Sequence, residues 1–107
     1  MTNAAFWPLH KRVDELLHTL VTMHRKTPPA ASPEFHAYKG PNEQFDWLEH
    51  PEIQKHKHRM PMQMEDVGIL RMRKMVVLVT DQRHDKTFDL TAAGIAFHDA
   101  HCTRDSH

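Results

Sequence analysis

The sequence predicts a mainly α-helical chain carrying one small β-hairpin, and three observations predict it. Leu9, Val13, Leu16, Leu17, Leu20, Val21 and His24 recur at i, i+4, i+7 and i+8, the spacing of one helix face. Residues 75–80 alternate, with Val76, Leu78 and Thr80 on one side, and the alternation resumes at Phe88 and Leu90. Between them residues 81–86 hold no apolar side chain, as an exposed tip between two buried stems requires. Thr91 then stands before a run rich in alanine, a good N-cap for a last helix.

Taken in order, the first helix spans residues 8–26, with Pro8 suited to its first turn and Lys11, Arg12, Asp14, Glu15, Thr19 and Thr22 off the apolar stripe. Phe6 and Trp7 are expected to fold back onto that stripe or onto a partner. Residues 27–41 contain Pro28, Pro29, Pro33, Gly40 and Pro41, which forbid a regular helix. This connection either wraps the surface or reaches another chain, with Phe35 and Tyr38 as anchors. Asn42 can cap a short helix over 43–50 that turns Phe45 and Leu48 inward; Pro51 interrupts it, and 52–59 form a second polar turn. Pro61 suits the first turn of a helix running to about residue 74, in which Gly68 costs about 1 kcal/mol relative to alanine. A rival reading makes 69–80 one long strand. The last helix covers 92–102, with Ala93, Ala96, Phe97 and Ala100 on one face.

At 107 residues the chain has room for one domain, with residues 27–41 as its proline-rich connection. Its apolar inventory is thin for a self-sufficient globule, which favours dimerisation or docking on a larger assembly. The single cysteine, Cys102, cannot close an intrachain disulfide and fits a reducing, cytoplasmic compartment. No apolar run approaches a membrane span, and the first residues show no secretory pattern. Net charge is zero but unevenly spread: residues 55–86 carry 8 basic and 4 acidic side chains, whereas 1–54 carry 5 and 7. A local basic surplus on a neutral chain is the footprint of a small nucleic-acid reader. Eleven histidines make that charge conditional on pH.

At the hairpin and the helix after it, Asp81 and Arg83 form an Asp-x-Arg tip, followed by Leu90, Thr91 and Gly94 at the helix start. This resembles the wing of winged helix-turn-helix transcription regulators, most closely the MarR type, over residues 75–102. The resemblance implies a winged helix-turn-helix fold and sequence-specific binding to double-stranded DNA as a homodimer. Arg83 would enter a minor groove, held by Asp81, with Lys86 beside a phosphate. Arg71, Arg73 and Lys74 would end the recognition element and contact phosphates or base edges. Leu16, Leu20 and Phe97, on the first and last helices, would lie at the dimer interface.

Other chemistry is weaker. His98, His101 and Cys102 share one helix at i, i+3 and i+4, and His56 and His58 form a second pair, yet neither makes the paired knuckles of a structural zinc site. No metal or other cofactor is expected. Only three glycines are available for a phosphate loop, and a helix C-terminus raises rather than lowers the pKa of a thiol such as Cys102, so no enzyme is expected. Met60, Met62, Met64, Met72 and Met75 fit either core filling or an adaptable protein-binding face. The functional expectation is therefore a dimeric DNA-binding regulator; the alternative is a non-catalytic interaction protein or accessory subunit.

Overall fold

A computed structural model describes residues 8–27, 34–40, 45–55 and 59–101. Helix α1 (Leu9–Lys26) forms where the apolar stripe requires it and buries Val13, Leu16, Leu17, Leu20, Val21 and Met23. His24, Arg25 and Lys26 occupy its last turn, where the unpaired carbonyls favour positive charge.

The mainly α expectation is overturned by a five-stranded antiparallel sheet, built from β1 (Phe35–Lys39), β2 (Asp46–Glu49), β3 (Met60–Met62), β4 (Val76–Gln82) and β5 (Asp85–Leu90) in the order β3-β2-β1-β5-β4. The chain is an α+β fold. The proline-rich connection contains β1, whose Phe35 and Ala37 are buried while His36 and Tyr38 are half-buried. Phe35 lies opposite Phe88 of β5, and Ala37 lies opposite Leu48 of β2. The helix expected over 43–50 is β2 instead; Leu48 does point inward, but as part of a strand. Four residues reading Asp-Trp-Leu-Glu satisfy either period, and pairing with β1 decides between them. Asn42 lies outside the described residues.

The helix-turn-helix arrangement expected ahead of the hairpin is not formed. Its place is taken by β2, the four-residue helix α2 (Pro51–Gln54) and β3. Pro51 opens α2, and the His50 Nδ1 accepts the Glu52 N–H at 3.1 Å. Burial pushes the His50 imidazole below its usual pKa and so keeps that acceptor lone pair free. Pro61 lies in the edge strand β3 rather than in a helix, a position where its missing N–H is not needed by a second neighbour. Helix α3 (Met64–Met72) accordingly starts three residues later than Pro61.

Helix α3 ends in a Schellman turn. The Met75 N–H bonds the Leu70 carbonyl at 2.9 Å, and the Lys74 N–H bonds that of Arg71 at 2.9 Å. Lys74 holds the left-handed position of that turn at φ 61°. Lysine is strained there where glycine is not, so Lys74→Gly is expected to raise stability by about 1 kcal/mol, read from the urea midpoint.

The hairpin expected over residues 75–90 does form, with longer strands and a tighter turn. Pairing continues to Gln82↔Asp85, leaving only Arg83 and His84 as the tip. A bulge falls between Leu78 and Thr80. Helix α4 (Ala92–His101) follows and is capped as predicted, the Thr91 hydroxyl accepting the Gly94 N–H at 3.0 Å. Its buried face is not the alanine face expected from the sequence; Gly94 and His98 are buried, and Ala93, Ala96 and Ala100 are exposed.

The core joins α1, the inward side of the sheet, Val67 and Leu70 of α3, and Met75. Leu16 and Leu20 lie inside it at 5% and 0% exposure, so they stabilise this chain's own fold and are not on a surface that a second copy could reach. Phe97 is half-buried, packed against the same core and stacked on His101. One charged pair also crosses the interior: Arg12 of α1 clamps the buried Asp66 of α3, Nε to Oδ2 at 2.7 Å and Nη2 to Oδ1 at 3.0 Å.

Candidate nucleic-acid interface

The hairpin tip does not stand free. The Lys39 N–H bonds the His84 carbonyl at 2.9 Å, which ties the end of β1 to the two-residue turn. This contact brings the Lys39, Arg83 and His84 side chains to the mouth of one open cavity of about 580 Å³. The start of α3 forms its other wall through Met64, Glu65 and Gly68, and Asp46 and Lys86 complete it. Gly68 keeps that wall low, since a Cβ built there would meet nothing within 4 Å.

The formal charges around the cavity nearly balance, but their partners do not. Asp46 accepts the Met64 N–H at 2.9 Å, which fixes the start of α3. Glu65 is held by Arg12 Nη2 at 2.6 Å. Both acids are therefore occupied by groups of the fold itself. Lys86 donates to Asp81, its cross-strand neighbour, and to the Gln82 carbonyl at 3.2 Å. That bond, with a smaller effect from Arg71, holds the Asp81 carboxyl below the usual carboxylate range. Lys39 and Arg83 are exposed and make no side-chain hydrogen bond or ion pair with another described residue. An anion entering the cavity would meet two available cations, and two carboxylates each already bonded through one oxygen to the fold itself.

Of the residues predicted to touch DNA, the structure brings Arg83 and Lys86 together at this cavity. Arg71, in the last turn of α3, lies close enough to Asp81 to act on its charge but does not line the cavity. Arg73 and Lys74 are exposed at the far end of α3, in its C-terminal turn, and do not line the cavity. Lys39 was missed because the connection holding it was read as lacking a strand. The alternation of Phe35, His36, Ala37, Tyr38 and Lys39 was the signal that could have found it.

The histidine clusters disperse. His98 is buried and turned toward α1, its Nε2 lying 3.0 Å from His18 Nδ1, while its Nδ1 faces Asp99 at 3.1 Å. His101 instead bonds the Phe97 carbonyl at 3.0 Å. His56, His58 and Cys102, like Phe6 and Trp7, lie outside the described residues. Among the described residues no group of three or more histidine, cysteine or acidic side chains is placed to hold a metal, and no helix is long and apolar enough to cross a membrane. A scan against protein-family models finds no match, and searches of curated proteins and of solved structures also find none.

Proposed function

We propose that this chain binds the phosphate backbone of duplex DNA through the cavity between the hairpin tip and α3, and acts by occupancy without chemistry of its own. The observation that carries the reading is the convergence of Lys39 and Arg83, both without side-chain partners among the described residues, on a cavity whose acids are engaged elsewhere. Lys86 and His84 add donors at the same mouth. A phosphodiester offers acceptor oxygens that lysine and arginine satisfy by charge-assisted hydrogen bonds. Regulation of transcription would follow from covering a promoter. The winged-helix route to that function is set aside with the fold it required.

The test is fluorescence anisotropy with unrelated labelled duplexes at several salt concentrations. Affinity is expected to fall steeply with salt, because each neutralised phosphate releases counterions. Arg83→Ala is expected to weaken binding by about 1–3 kcal/mol, and Lys39→Ala to lower the salt slope by about 1 with little regard to sequence. Flat titrations at low salt, or alanine variants that bind as tightly as the parent, would end the reading. A second reading, an interaction protein, is favoured by one observation: β4, the longer of the sheet's two outer strands, carries exposed Val77 and Val79.

A further inference from the structure

The sheet has two edges, β3 and β4, and they are protected unequally. An edge strand presents a row of N–H and C=O groups that another strand can take up, and proteins blunt such edges with short strands, proline, lysine or bulges. Strand β3 is three residues long with Pro61 at its centre. Strand β4 is seven residues long and contains no proline, lysine or arginine. Its one irregularity is the bulge between Leu78 and Thr80. Val77 and Val79 stand on it at 51% and 53% exposure. Large β-branched side chains at that exposure are what a neighbouring strand would cover.

We propose that β4 is the surface through which two copies of this chain associate, strand beside antiparallel strand about a two-fold axis. The sheet would then run continuously through both copies. A second copy is the occupant because β4 is its own charge complement. Arg73 and Lys74 lead into the strand, both exposed and without an ion pair among the described residues. Asp81 lies near its end, with one carboxylate oxygen bonded to Lys86 of its own hairpin and its side chain still half exposed to a partner's cation. Antiparallel pairing sets the cationic entrance of each strand beside the partner's acidic exit, with valines between them. A parallel pair would set like charge against like. A two-fold interface demands this kind of self-complementarity. The pairing uses the outer side of β4, whereas the cavity lies among β1, β5 and the start of α3, so this inference does not rest on the nucleic-acid reading.

Sedimentation equilibrium at tens of micromolar is expected to give about twice the 12.6 kDa chain mass. Val77→Lys and Val79→Lys each place a hydrated charge on the edge and are expected to weaken association at least about tenfold. Both positions are more than half exposed, and far-UV circular dichroism checks that each variant keeps its fold. On the parent chain, amide hydrogen exchange across a concentration series is expected to show new protection confined to β4. A monomer throughout that range overturns the proposal, as does a dimer that both folded lysine variants leave intact. Should the variants unfold, the exchange series on the parent decides: concentration-dependent protection of β4 supports the pairing, and its absence overturns it.

Discussion

Arg12→Ala is expected to cost about 3–5 kcal/mol, because it leaves a buried charge without its partner. Asp66 is fully buried, and Arg12 meets both its carboxylate oxygens in a bidentate clamp, while its Nη2 also reaches Glu65. Even with Arg12 present, the Asp66 carboxyl titrates above its usual value, since burial outweighs the guanidinium. The sign of the pH dependence follows. With the folded pKa raised, the folded chain takes up this proton at a higher pH than the unfolded chain does. The ionised buried form thus costs stability above the raised folded pKa, and the cost is relieved as pH falls through it toward the ordinary value. Loss of Arg12 removes the opposing effect and widens that window. The deficit of Arg12→Ala is therefore expected to be largest at neutral pH and smaller at about pH 5. Adding Asp66→Asn is expected to recover part of it. Urea unfolding at the two pH values checks this; an equal deficit at both would mean the loss is one of packing rather than of charge.

Gly94→Ala is expected to destabilise the fold by about 3 kcal/mol, the upper part of the usual range for overpacking. A Cβ at Gly94 would lie 2.3 Å from the Met75 carbonyl oxygen and 3.0 Å from Met75 Cα, so backbone would have to move. The approach is this close because the first turn of α4 is fastened to the end of α3. The Thr91 N–H bonds the Met75 carbonyl at 3.0 Å, and the Thr91 hydroxyl donates to the Lys74 carbonyl at 2.7 Å. Gly68→Ala is the control. It also lies inside a helix, but a Cβ there meets open space, so it is expected to stabilise by up to about 1 kcal/mol. Thermal melts of the two variants should move in opposite directions. Equal shifts would show that helix propensity, not the Met75 contact, governs both sites.

The Gly94 contact gives the Leu90-Thr91-Ala92-Ala93-Gly94 run a physical reason that owes nothing to any family. Threonine caps α4 and locks it to the turn before the hairpin, and only glycine fits against Met75. Sequence reading found this run and placed its cap correctly. It did not find what the run docks against, because Met75 and Lys74 contribute backbone atoms that carry no sequence signal.

The sequence by itself determined the parts whose information is local. Helix α1 is written over eighteen residues of one period, and the hairpin over two alternating runs with a polar tip between them. Residues 55–86 held the basic surplus, from which Arg83 and Lys86 reach the cavity. Tertiary structure alone decided the rest. Strands of three to five residues have too few side chains to declare a period and gain stability only from partners far along the chain, as Phe35 does from Phe88. The same pairing turned a proline-rich connection into the middle of a sheet and carried Lys39 to the hairpin tip. It also drew Leu16 and Leu20, outwardly plausible interface residues, into the chain's own core. Arg12 and Asp66 are 54 positions apart, and nothing in either neighbourhood announces the other. Local periodicity fixes which face of an element is apolar; what covers that face is settled only when distant segments compete to bury it.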